Sequence, residues 1–193
     1  WEQVKAAGYR HAILRVGYRG YGNGKICRDE QFVNNIKGAV SAGLTVGAYF
    51  FSTAITKEEA GEEADYVINE LKPYISSGPI AFDYEGYDND SYRSYGTDRA
   101  QRTEFCRTFL ERIEAAGFTG VVYGSKGNIK NKFDLSYLKK YPIWCARYAG
   151  GYGTIVEDEK YFPDLGKETE RIALWQYTSI GTVPGIKGNV DLN

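Results

Sequence analysis

The sequence predicts an α/β fold in one domain, with helices and parallel strands alternating along residues 1–193. One pattern carries that prediction: a helical stretch ends in Gly and a strand follows at once. It occurs as Ala6-Ala7-Gly8-Tyr9 into 11–17, Ser41-Ala42-Gly43-Leu44 into 45–51, and Ala115-Ala116-Gly117-Phe118 into 119–124. Gly just past a helix closes the last turn in the left-handed conformation, and the next apolar residue packs back as the strand begins. The second observation is spacing, which leaves room for a helix between successive strands, as βα units on a parallel sheet require.

The chain opens on a helix over 1–7 and continues into strand 11–17. Residues 29–42 read as a helix with Phe32, Val33, Ile36 and Val40 on or near one face. After strand 45–51, Thr56-x-x-Glu59 is a capping box that opens a helix to about Tyr74. Strand 79–85 comes next, then a helix after Thr97 running to Ala116, then strand 119–124. Beyond that point short strands at 142–148, 171–177 and 189–191 are separated by loops rather than long helices. This makes seven strands, whereas a closed barrel of eight needs one more upstream. The chain begins at Trp1 and contains no Met, so the expectation is an N-terminally incomplete barrel lacking its first strand. No linker divides residues 1–193, which read as a single domain.

Composition excludes several functions. A net charge of −1 gives no pull toward nucleic acid or anionic membranes. No apolar run approaches the roughly 18 residues of a membrane span. Cys27, Cys106 and Cys145 are an odd set without a C-x-x-C, which argues against a disulfide framework or thiolate zinc site. His11 is the single histidine and lies at the start of a strand, so zinc and His-dependent hydrolases are disfavoured. Neither a metal nor an organic cofactor is expected. The 17 Tyr suit stacking on sugar rings, or simply line the core and its rim.

In parallel α/β architectures chemistry sits at the carboxyl ends of the strands. Along 79–85, Ile80, Phe82 and Tyr84 share the face that packs under helices, while Ala81, Asp83 and Glu85 share the other. Two acids then leave the axis face about 6.5–7 Å apart, where charge is costly unless used or balanced. The same parity sends Trp144, Ala146 and Tyr148 to one face, and Leu174 and Gln176 to the face opposite Trp175 and Tyr177. Tyr49 and Tyr123 stand near strand ends, Asp191 follows the turn Gly188-Asn189, and Arg15 faces away from Leu14 and Val16. Plainer readings stand beside these: an acid cluster balanced by Arg15, Arg15 in a structural role, Asp191 as a turn residue, and Trp144, Tyr148 and Gln176 completing the core.

The segments Ile13-Leu14-Arg15-Val16-Gly17-Tyr18, 42–49, Asp83-Tyr84-Glu85, Trp144-Cys145-Ala146-Arg147-Tyr148, Trp175-Gln176-Tyr177-Thr178-Ser179 and 185–193 run in one order along the chain. In that order the chain resembles glycoside hydrolase family 25, the bacterial and phage muramidases called Chalaropsis-type lysozymes. The resemblance implies a flattened TIM-like barrel with five helix-bearing and three plain strands. The family's opening strand with Asp-x-Ser has no counterpart here. The resemblance also implies cleavage of the β-1,4 bond between N-acetylmuramic acid and N-acetylglucosamine, with Glu85 as catalytic acid and Asp83 and Asp191 as partner carboxylates. Tyr49, Tyr123, Trp144, Tyr148 and Gln176 are expected to bind the glycan. Substrate assistance by the 2-acetamido group, and hence retention, is expected, with a direct carboxylate nucleophile or an inverting water as the alternatives. The partner is peptidoglycan, at the cell wall or outside the cell, for a secreted autolysin or a phage lysin. A wall-binding module would lie outside these residues. Two alternatives are a chitinase-like hydrolase and a wall-sugar-binding protein without turnover.

Overall fold

The computed structural model describes residues 1–74, 77–85, 88–150 and 154–193. Helix α1 (Glu2–Ala6) leads into β1 (His11–Arg19), then β2 (Ile26–Arg28), α2 (Phe32–Ser41), β3 (Thr45–Phe51) and α3 (Lys57–Leu71). The chain continues through β4 (Ile80–Asp83), α4 (Arg99–Ala115), β5 (Gly120–Ser125), α5 (Lys126–Lys132), β6 (Ile143–Ala146), β7 (Ile172–Gln176), β8 (Thr178–Gly181) and β9 (Val190–Leu192). The three expected helix–Gly–strand joints are present, with φ of 99° at Gly8, 74° at Gly43 and 87° at Gly117. A residue with a Cβ is strained in that region, so the joints depend on Gly.

Seven strands form one curled, open sheet in the order β2-β1-β3-β4-β5-β6-β7. Every pairing from β1 to β7 is parallel, and only β2 is antiparallel. The number of strands in this sheet matches the sequence reading, but its membership differs. The three-residue β2 folds back on the end of β1 as a hairpin, too short to be seen by periodicity. The expected last strand, β9, leaves the sheet and pairs with β8. It is held to the end of β7 by Tyr177 N–H donating to Leu192 O at 3.0 Å. Thr178 continues directly from β7, so this edge bends away into a hairpin.

Helix starts also need correction. Thr56 caps α3, accepting from Glu59 N–H, but the Glu59 carboxylate reaches Ile55 N–H at 2.9 Å and Arg93 instead of closing the box. The cap of α4 is Asp98, one residue later than expected, in a full capping box with Gln101.

Two cores confirm the alternation of faces. The larger lies between sheet and helices and takes Leu14, Val16, Phe50, Ile80, Phe82 and Tyr84 with the buried faces of α2, α3 and α4. The smaller fills the concave face: Ala81, Val121 and Trp144, packed with Ile13, Tyr49, Tyr123 and Leu174. Parallel sheets need both faces covered, and here the concave floor is covered by aromatic side chains.

Candidate active site

Register builds the site row by row. Arg15, Tyr49, Ala81 and Val121 lie side by side across β1, β3, β4 and β5. One step toward the strand ends, Tyr18, Phe51 and Asp83 form the next row. A β-bulge between Arg15 and Gly17 makes this row possible. Strict alternation sends Tyr18 to the helix side, three residues from Arg15. The extra residue resets the parity, and the Arg15 guanidinium lies 5.8 Å from the Tyr18 ring centroid.

Strand β4 stops at Asp83, so Glu85 stands two residues past it rather than within the strand. Tyr84 between them is buried, lies near-parallel to Phe82 at 5.8 Å, and donates to Ala54 O at 2.8 Å. That anchor holds the backbone from which Asp83 and Glu85 emerge on the opposite side. Asp83 is only 6% exposed, and its Oδ1 has no hydrogen-bond partner among the described residues. Burial, then the Glu85 and Asp191 anions, raise its carboxyl well above the usual range, opposed by Arg15. Glu85 opens to solvent at the mouth and is raised by partial desolvation, then by Asp191 and Asp88. Asp191, in β9, is raised by desolvation. The hairpin that breaks the expected strand order therefore still delivers its acid to the same mouth.

The aromatic floor is tightly interlocked. Trp144 meets Tyr123 at 4.6 Å and Tyr49 edge-on at 6.4 Å. Tyr123 and Tyr148 both donate to Gln176 Oε1, at 3.0 and 2.8 Å, so this buried amide joins three strand ends. Burial pushes the Tyr49 phenol up to about 12, with Asp83 adding to it, and raises Tyr123 further. Both stay protonated at physiological pH and can donate hydrogen bonds.

All nine residues singled out from the sequence thus fall on one concave face or its rim. Arg15 does not bond the acids: its Nε and Nη2 hold Asp29 Oδ2 at 2.8 and 2.7 Å, and it reaches Asp83 only through its field. Three participants escaped the sequence reading. Asp29 orients Arg15, Asn193 Oδ1 accepts from Trp144 Nε1 at 2.6 Å, and Arg93 fastens the loops of the mouth. Asn193 lies two residues beyond Asp191, so strand parity carried a signal for it; Arg93 had none. Among the described residues no group of three or more His, Cys, Asp or Glu side chains could hold a metal ion.

The chain is 25% identical over 199 residues to lysozyme M1 of Streptomyces globisporus, matching all of this chain and 62% of that protein. It is 27% identical over 160 residues to the lysozyme of Streptococcus phage Cp-7, spanning 80% of this chain and 42% of the phage protein. In fold it resembles the modular autolysin LytC from Streptococcus pneumoniae, solved with a synthetic peptidoglycan ligand. That match has a TM-score of 0.76 at 22% identity, over 98% of this chain and 41% of that one. The chain therefore spans less than two thirds of the length of these relatives. The sequence profile of glycosyl hydrolases family 25 matches residues 1–186, and the chain belongs to that family.

Proposed function

We propose that this chain is a muramidase, hydrolysing the β-1,4 bond between N-acetylmuramic acid and N-acetylglucosamine in peptidoglycan. The observation that carries the reading is the buried Asp83 Oδ1, without a partner among the described residues, beside Glu85 in an aromatic-floored cleft. A buried carboxylate oxygen with no donor is costly, and a ligand N–H removes that cost. The 2-acetamido N–H of the substrate is such a donor. Bound to Asp83, it turns the acetamido carbonyl oxygen toward the anomeric carbon.

Glu85 then protonates the glycosidic oxygen as that bond breaks, and the carbonyl oxygen bonds to the anomeric carbon. Asp83 balances the cationic ring so formed. The Glu85 carboxylate next takes a proton from water, whose oxygen opens the ring and restores the original face. The three acids of the mouth disfavour one another's ionisation, which suits retention of a proton on Glu85. The N–H received by Asp83 favours its anionic form, and an ionised Asp83 in turn disfavours ionisation of Glu85. Tyr49, Tyr123, Trp144, Tyr148 and Gln176 form the floor on which the sugars rest.

The site of action is the bacterial wall, for a phage lysin or a secreted autolysin. No helix of the described residues is long and apolar enough to cross a membrane. With a net charge of −1, attachment relies on a module outside these residues. The test is mass spectrometry of fragments released from purified walls, with proton NMR of the first product. Muramic acid at the reducing end and an initial β-anomer are expected. Turnover of chitin but not of walls, or wall binding without new reducing ends, overturns the reading; an initial α-anomer replaces the intermediate with an inverting water.

A further inference from the structure

Beside the acids lies a hollow of about 350 Å³ lined by Arg15, Tyr18, Tyr21 and Phe51. Phe51 is the register partner of both Asp83 and Tyr18, so the hollow begins one strand away from Asp83. Strands lie about 4.8 Å apart, which puts its centre roughly 5–10 Å from that acid. This is the distance from a reacting sugar carbon to a substituent of the same residue or to its neighbour.

The hollow is built rather than incidental. The β-bulge turns Tyr18 to the same side as Arg15. Tyr21, at the tip of the β1–β2 hairpin, stacks on Tyr92 at 4.3 Å and 13°, and meets Phe51 edge-on at 6.0 Å. The hairpin and the loop before α4 are joined beneath that stack by Arg93 N–H donating to Tyr21 O at 2.8 Å. Tyr21 nevertheless remains 47% exposed, an aromatic face open to solvent. Arg15 has one edge committed to Asp29, which fixes its plane, while Nη1 donates to nothing among the described residues. A guanidinium so held keeps the two N–H bonds of Nη1 and the outer N–H of Nη2 for a further acceptor. Asp83, Glu85 and Asp191 repel an anion from the centre of the cleft, and Arg15 is the cation that acts on Asp83 from its flank.

From this geometry we propose that the Arg15–Tyr18–Tyr21–Phe51 hollow binds the lactyl side arm of muramic acid: Nη1 of Arg15 holds its carboxyl-derived oxygens, and Tyr21 covers the adjoining apolar atoms. The proposal rests on the muramidase reading and adds to it a determinant that distinguishes muramic acid from N-acetylglucosamine. Asp29 makes the local charge near zero, so the gain comes from oriented hydrogen bonds rather than long-range attraction.

The test is calorimetric titration of the non-cleaving Glu85→Gln protein with two ligands of equal length. One is a glucosaminyl–muramic acid oligosaccharide with a free lactyl carboxylate; the other is the chitin oligosaccharide that lacks it. The muramic ligand should bind about tenfold more tightly, and Arg15→Gln in that background should erase the difference. Tyr21→Ala should weaken the muramic ligand and leave the chitin ligand unchanged, because only the former carries the lactyl atoms that Tyr21 covers. The double variant Arg15→Gln, Asp29→Asn leaves no unpaired acid and separates loss of binding from loss of fold. An unchanged ratio of the two affinities in either Arg15 variant overturns the site, as does failure of the Glu85→Gln protein to bind the muramic ligand at millimolar concentration. A protein that discriminates the two ligands while its Glu85 parent releases no wall fragments would reject the muramidase reading and leave the site standing.

Discussion

At the scale of single residues the site is an arrangement of acids whose burial and nearness disfavour their ionisation. Glu85→Gln keeps the shape of the mouth but removes the transferable proton. Wall lysis should fall by about 10²–10⁴-fold with unfolding temperature unchanged, and retention of a tenth of the activity would reject Glu85 as the acid. Asp191 acts on Glu85 through its field. Its anion holds the Glu85 proton to higher pH, so Asp191→Asn should move the alkaline limb of the kcat/KM profile toward lower pH. An alkaline limb that stays in place would show that Asp191 does not tune the acid. Asp83 and the floor residues within the strands were legible because a strand buried on both faces allows no ambiguity of parity: an acid on the concave side stands out among apolar neighbours, whereas Glu85 stands past the strand and Asp191 in the β8–β9 hairpin. What was not legible is instructive. Tyr18 lies on the wrong parity until the bulge resets it, and a bulge is decided by pairing with β3, not by the local sequence. The partnership of Arg15 with Asp29 likewise depends on where α2 begins.

At the scale of elements, the helices and sheet set the floor of the cleft, but a single arginine sets its walls. Arg93 donates to both oxygens of Glu59 at 2.7 Å, to Thr53 O at 3.2 Å, and from its backbone to Tyr21 O. It joins the β1–β2 hairpin, the β3–α3 loop and the first turn of α3 to the segment that carries Glu85. The contact spans 34 residues of sequence between two ordinary surface-type side chains, and no periodicity announces it. Two-pronged recognition requires the planar guanidinium, so Arg93→Lys is not a conservative change. Arg93→Ala leaves Glu59 partly buried without its main partner and should lower unfolding free energy by about 2 kcal/mol. Removing Glu59 as well should cost less than the sum of the two single changes. A double-mutant cycle with coupling of about 1 kcal/mol or more is expected; strictly additive effects would mean the clamp does not bear on stability. The short β2 and the β8–β9 hairpin escaped the sequence for a related reason, since strands of three or four residues are fixed by their partners and carry almost no pattern of their own.

At the scale of the whole molecule, these elements meet on an ionic cluster that runs from solvent at Glu62 to full burial at Glu63. Arg19, at the end of β1, is 4% exposed and donates to Glu63 Oε1 at 2.7 Å, Glu62 Oε2 at 3.1 Å and Gly24 O at 2.7 Å. Glu59 is claimed by Arg93: burial raises its carboxyl, but the hydrogen bonds from Arg93 and Ile55 N–H and the fields of Arg19 and Arg93 together outweigh burial and lower it. Two guanidiniums thus serve three carboxylates. The most deeply buried of the three is Glu63, fully enclosed and with Oε2 lacking a partner among the described residues. Burial pushes its carboxyl up to about 7, against hydrogen bonds from Ser52 and Arg19. In the unfolded chain a glutamate titrates near 4.3. Between that value and about 7 the folded protein holds a proton that the unfolded chain has released. The stability this proton provides is present in full below the unfolded value and is lost as pH rises through the folded one. The loss amounts to about 1.4 kcal/mol per pH unit across the window. Asp83, also raised, contributes a slope of the same sign, so the comparison must be with a variant that alters Glu63 alone. Glu63→Gln removes the titration but keeps the side chain's size and one acceptor for Arg19. Urea unfolding at pH 5 and pH 8 measures the outcome in both proteins. The stability of the parent relative to Glu63→Gln should be smaller at pH 8 than at pH 5. A relative stability that grows with pH would mean the Arg19 pairing overcomes burial and keeps Glu63 ionised throughout.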